Sequence, residues 1–175
     1  MSYCTFCQNL PEDNVHKIYH DHHYGFPIDD DNELFERLVL EINQAGLSWD
    51  TILKKQENFK KAYHQFDIAT VASYSEYDRL RLLEDKGIIR NKLKINAAIH
   101  NANVILELQK EHGSFKAWID HHHPKPIEDW VKIFKKQFKF TGGEIVKEFL
   151  QSSAYLPIPH DVDCPVYAKL ASLKN

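Results

Sequence analysis

Helix starts punctuate this chain from residue 30 onward, each a short polar residue followed by apolar residues three and four apart. Asp30 or Asp31 can cap a helix beginning near Asn32, with Leu34, Leu38, Ile42 and Ala45 along one side. Gly46 ends that helix, and Ser48 can cap the next, which runs from Trp49 towards Tyr63. Asp67 opens a short helix from Ile68 to Tyr74. Ser75 opens another, with Tyr77, Leu80 and Leu83 facing inward and Gly87 as its stop. A long helix follows from about Arg90 to Glu111, carrying Leu93, Ala97, Ala98, Val104, Ile105 and Leu108, and Gly113 stops it. Ser114 opens Phe115 to Ile119, and helices at Glu128–Gln137 and Glu144–Ser152 complete the body. The stretch from Tyr155 to His160 holds two prolines and reads as irregular. No internal repeat and no series of alternating strands is visible, so the expected fold class is all-α.

With 175 residues, 43% of them apolar, the chain can bury one real core, and a single domain is expected. The opening Met1-Ser2-Tyr3-Cys4 lacks a basic region leading into an apolar one, and no apolar run approaches the ~20 residues of a membrane helix. A cytoplasmic protein with no membrane partner is expected. A net charge of -3 argues against a general coat for nucleic acid but leaves room for a local basic face. The three cysteines, Cys4, Cys7 and Cys164, are too few and too odd for a disulfide framework, which leaves metal binding open.

Three constellations carry chemistry. Cys4 and His20 lie near one end, and His160 and Cys164 near the other, a His-x3-Cys pair about one helical turn apart. Two thiolates and two imidazoles make a tetrahedral zinc set that would clip the termini together. Cys7, His22 and His23 are spare ligands, and free cysteines with surface histidines are the plainer reading. The second constellation is Glu41 at the border of an apolar stripe, followed by Gly46, Leu47 and Trp49. It reads either as a border glutamate, a glycine cap and a core tryptophan, or as an acceptor carboxylate beside a stacking wall with an apolar wedge, which suits a flipped nucleobase. The third runs from Leu83 to Lys94, a glycine turn at Gly87 leading into a helix that opens with Arg90, Lys92 and Lys94. It is either an ordinary αα-turn or a clamp for the DNA backbone, since helix starts and cations both attract phosphate.

Taken together, Tyr19-His20-Asp21 with Gly25 and Pro27, the run Gln44-Ala45-Gly46-Leu47-Ser48-Trp49, Gly87-Ile88-Ile89-Arg90, Phe138-Lys139-Phe140-Thr141-Gly142 and the final His-x3-Cys pair resemble the DNA-3-methyladenine glycosylase I family of bacterial base-excision repair. The resemblance spans Cys4 to about Cys164. It implies a helix-hairpin-helix glycosylase fold, with termini 1–27 and 155–175 forming a zinc-clipped lobe on a helical body, 28–154. It implies hydrolysis of the glycosidic bond of 3-methyladenine in duplex DNA, with free 3-methyladenine as product, no strand cleavage and a monomeric enzyme.

The resemblance also assigns roles. Cys4, His20, His160 and Cys164 would hold a structural zinc. Glu41 and Tyr19 would hydrogen-bond the damaged base, Trp49 would stack on it, and Phe6 and His16 would stand in the pocket wall. Gly46 and Leu47 would fill the gap left by the base, and Gly87, Arg90, Lys92 and Lys94 would hold phosphates. His16 stands where a pocket tyrosine is common in the family, Tyr24 where tryptophan is usual, and Gly143-Glu144 where small hydroxyl residues are common. Those three departures motivate a second expectation, a catalytically silent module that binds modified bases or nucleotides.

Overall fold

A computed structural model describes residues 1–174; Asn175, the last residue of the expected terminal lobe, lies outside them. The described residues contain no strand. Their helices are α1 (Tyr3–Gln8), α2 (Val15–His22), α3 (Asp31–Gln44), α4 (Trp49–Ala62), α5 (Ile68–Ala72), α6 (Glu76–Glu84), α7 (Lys92–His112), α8 (Phe115–His122), α9 (Ile127–Gln137), α10 (Gly143–Ser152) and α11 (Pro165–Ser172), with a 3-10 turn at His64–Phe66. Among the described residues, no helix is long and apolar enough to cross a membrane.

The cap signals read from the sequence operate in the structure. The Asp30 carboxylate accepts from the Glu33 N–H at 2.9 Å, Ser48 Oγ from Thr51 at 3.2 Å and Ser114 Oγ from Ala117 at 2.8 Å. Asp31 reaches further, accepting from the Phe115 and Lys116 N–H groups at 2.8 and 3.0 Å. One carboxylate at the start of α3 therefore satisfies the orphan donors that open α8.

α3 and α7 form the centre. α3 buries Leu34, Phe35, Leu38, Val39 and Ile42, and α7 buries Ile95, Ala98, Ile99, Ala102, Ile105 and Leu108 at helical spacing. A second, small cluster joins Cys4, Cys164, Val166 and Leu170, with Phe26 and Ile158 packed against it. Gly25 makes the join close: its φ is +88°, and a Cβ there would meet Pro159 Cδ at 2.7 Å. Ser2 also hydrogen-bonds Asp161.

The structure corrects several expectations. The ends of the chain are helical too, as α1, α2 and α11. Tyr77 and Leu80 do not face inward; they are 75% and 52% exposed, and Leu82 supplies the buried contact of α6. The long helix starts at Lys92 rather than Arg90, because Asn91 is its cap. His160 and Cys164 are not on one helix: a turn closed by the Cys164 N–H on Asp161 O, at 2.9 Å, brings them together, and Cys164 caps α11.

Candidate functional site

A pocket of about 710 Å³ opens where α3 ends. Tyr19 from α2, Glu41, Ala45 and Gly46 from α3 and its end, and Trp49 from α4 line one side. Gly142 to Ile145 and Glu148, at the start of α10, line the other, and Tyr3 and Tyr24 close the end. Glu41 projects from α3 towards this space because the opposite face of the helix is committed to the core. Its side chain is 4% exposed, yet its carboxylate has no hydrogen-bond or ion-pair partner among the described residues. Burial pushes the Glu41 carboxyl up to about 8, with Arg37 opposing and Glu148 adding to the rise. Arg37 itself is engaged elsewhere, donating to Ser152 O at 3.0 Å and lying 5.3 Å over the Tyr19 ring.

The Trp49 ring stands 5.2 Å from that of Tyr19, and its buried Nε1–H has no partner. A buried acceptor, a buried donor and aromatic faces around one cavity form a place for a flat, polar-edged ligand. The loop from Gly46 makes the opening. Gly46 has φ +80°, which a side chain would strain although there is open space around it. Leu47 follows at the tip, 40% exposed.

Of the residues expected in the pocket, Tyr19, Glu41, Gly46 and Trp49 come together, whereas Phe6 and His16 do not reach the lining. His16 points away to bind Tyr3 Oη with Nδ1, at 3.0 Å, and Asp50 with Nε2, at 3.1 Å. It holds Tyr3, which occupies the wall, and Phe6 stacks behind Tyr3 at 6.2 Å between ring centroids. Tyr3, Tyr24 and Glu148 were missed as lining residues. For Tyr3 the usable signal was its place three residues before Phe6 on a short helix.

The four residues Cys4, His20, His160 and Cys164 form a cluster in which all ligand atoms lie within 4.8 Å of one another. His20 Nε2 is 3.3 Å from Cys4 Sγ and 3.2 Å from His160 Nδ1, and Cys164 Sγ is 3.9 and 4.0 Å from the two nitrogens. Each imidazole is oriented through its other nitrogen: His20 Nδ1 meets Asp21 at 2.6 Å, and His160 Nε2 meets Tyr24 O at 2.7 Å. The inward nitrogens are thereby free to ligate. Burial pushes the Cys4 thiol well up, so its thiolate is stable only beside a cation. The group can hold a metal ion. Cys7 stays outside it, buried against His16 O at 3.7 Å. The bond from His160 to Tyr24 ties this cluster directly to the pocket wall.

The turn between α6 and α7 presents Arg90 and Lys92 to solvent. Space at Gly87 is tight: a Cβ there would come within 3.1 Å of the Asn58 and Asp85 side chains, which would have to yield slightly. Lys92 shares a groove with Arg79, His100 and Lys139, and with Glu76, so the acidic chain does carry a local basic face. Lys94 is not part of it. Its side chain turns inward, 5% exposed, and Nζ donates to Asn43 O at 2.8 Å and Ala45 O at 2.7 Å. The ammonium satisfies the last carbonyls of α3 and braces the Gly46 loop, which removes it from any phosphate.

Comparison with known proteins gives a consistent result. A family model described as methyladenine glycosylase matches residues 9–134. DNA-3-methyladenine glycosylase 1 of Escherichia coli (strain K12) is 36% identical over 180 residues, spanning 92% of this chain and 96% of that protein. DNA-3-methyladenine glycosylase of Haemophilus influenzae is 34% identical over 181 residues, spanning 92% and 97%. Among solved structures, a variant of 3-methyladenine DNA glycosylase I in complex with 3-methyladenine superposes with a TM-score of 0.84 at 31% identity, covering 95% of this chain and 98% of that one. The Staphylococcus aureus enzyme, solved to explain 3-methyladenine recognition, gives 0.81 at 31% identity, covering 90% and 93%.

Proposed function

Because the chain belongs to the methyladenine glycosylase family, we propose that it is a DNA repair enzyme that hydrolyses the N-glycosidic bond of alkylated adenine, chiefly 3-methyladenine, in duplex DNA. The observation that carries the reading is Glu41, a buried carboxylate without a protein partner, facing a cavity beside the Trp49 ring.

Methylation at N3 leaves the purine with a positive charge, so the base is already a good leaving group. The pocket must select it and then favour the departure of its charge. Glu41 accepts a hydrogen bond from the base and matches its charge; Trp49 offers a π-face to a cationic ring, and the Tyr19 hydroxyl supplies a further hydrogen bond. The bond from C1′ to N9 breaks with its electron pair going to the ring, which neutralises the base. Water adds to C1′ and releases a proton. No lysine lines the pocket, so no amine is placed to form a covalent sugar adduct, and the strand stays uncut.

The metal cluster is read as a structural zinc site. Zinc at about 2.0–2.1 Å from nitrogen and about 2.3 Å from sulfur sets tetrahedral donors roughly 3.3–3.8 Å apart. The five separations that involve a histidine nitrogen, 3.2 to 4.0 Å, within a set whose atoms all lie within 4.8 Å, support that fit. Four protein ligands leave no open position, so Cys4, His20, His160 and Cys164 would hold the metal to fasten the terminal lobe, 1–27 and 155–175, onto body 28–154. Arg90, Lys92 and Gly87, in a helix-hairpin-helix arrangement, would grip phosphates while Leu47 enters the space left by the base. A monomer working in the cytoplasm completes the reading.

Glu41→Ala tests it. The variant is expected to keep its helical circular dichroism and to release 3-methyladenine from methylated duplex DNA at least ~100-fold more slowly. Release at the parent rate would overturn the pocket assignment.

A further inference from the structure

The pocket holds more negative charge than Glu41 alone. Glu148, on the second turn of α10, lines the same cavity, half-buried, and makes no hydrogen bond or ion pair among the described residues. Its sequence neighbour Lys147 is exposed and does not line the cavity. Tyr24, in the wall beside the two glutamates, feels both negative charges on top of its own burial. Glu144, on the exposed rim, adds a third carboxylate. Arg37, the cation that acts on Glu41, is occupied with Ser152 O and the Tyr19 ring and is not part of the lining.

Two carboxyl groups without partners around one cavity, one of them only 4% exposed, are costly to ionise together while the cavity is empty. Such a site is stabilised by an occupant that brings a positive charge. We propose that Glu148 is a specificity-determining residue, making the pocket select purines that carry a formal positive charge over neutral purines of the same shape. The inference rests on the reading of the pocket as a site for alkylated adenine. It also gives the pocket a direction: the base enters as a cation, becomes neutral when N9 takes the bonding pair, and is then held less tightly as a product.

Two probes of matched shape separate charge from fit. One is 3,9-dimethyladeninium, a permanent cation; the other is its 3-deaza analogue, in which carbon replaces N3 and the ring is neutral. Binding to the metal-loaded protein is measured by calorimetry for the parent, Glu148→Gln and Glu144→Gln. The parent is expected to prefer the cation. Glu148→Gln is expected to weaken cation binding by about tenfold, the scale of one charge at the edge of a half-buried site, and to change neutral binding less than about twofold. Glu144→Gln, at the rim, should change the ratio less.

An equal loss for both probes would make Glu148 a shape contact and overturn the proposal, as would an unchanged ratio. If the parent excises 3-methyladenine but shows no preference between the probes, this inference fails and the pocket reading stands. If the parent binds neither probe and releases no base, both fail together.

Discussion

Replacing Glu41 with glutamine is expected to stabilise the fold in mildly alkaline solution while removing activity. Glu41 is 4% exposed, and burial raises its carboxyl from an ordinary 4.5 to about 8. The folded state therefore holds this proton more tightly than the unfolded state. Stability from the protonated carboxyl is present below 4.5, declines as pH rises towards 8, and is absent above it. At roughly 1.4 kcal/mol per pH unit, that window spans up to about 5 kcal/mol. Water entering the pocket lowers the figure, so about 2–5 kcal/mol is expected between the ends of the window. Glutamine does not ionise, and its variant should escape this loss. Urea denaturation should show the two proteins within about 1 kcal/mol at pH 5, and the variant about 2–5 kcal/mol more stable at pH 8.5, or roughly 5–15 °C higher in Tm. Equal stabilities at both pH values would refute the placement of Glu41 in a desolvated pocket, because an exposed carboxylate has no such penalty to lose.

Other expectations follow from the same geometry. Cys164→Ser should abolish retention of about one metal per chain and lower Tm, both read by metal analysis and thermal denaturation; metal-free protein of unchanged Tm would argue against the clip. Lys94→Met leaves the Asn43 and Ala45 carbonyls without their donor, so a loss of about 1–3 kcal/mol in urea denaturation is expected, with little change in the salt dependence of DNA binding. The double change Arg90→Ala, Lys92→Ala should do the reverse: unchanged stability, weaker DNA binding and a log–log salt slope lower by about 2.

Much of the fold was legible because caps are local chemistry. Asp30, Ser48 and Ser114 each place a side-chain oxygen on the backbone N–H three residues on, and no distant contact has to be known. Tyr77 and Leu80 were misread because α6 spans little more than two turns and packs only Leu82 fully inward, so apolar identity did not decide direction. Lys94 shows the same limit from the polar side. A lysine in the first turn of a helix reads as a phosphate contact until the end of α3 is seen beneath it.

The pocket divides along similar lines. Glu41, Gly46 and Trp49 sit within nine residues around one helix end, and their convergence was visible in the sequence. Tyr3, Tyr24 and Glu148 arrive from segments up to 145 residues apart, through the Cys/His cluster and the packing of α10 on α3. His16 was drawn away from the pocket by Asp50, a partner on another helix.

The central claim is tested most directly by single-turnover incubation of the metal-loaded protein with N-methylated duplex DNA, the released bases being identified chromatographically and the strands sized by electrophoresis. Release of free 3-methyladenine with the sugar–phosphate strand uncut is the expected result. No release from folded, metal-loaded protein would contradict it and leave a module that binds modified bases without cleaving them.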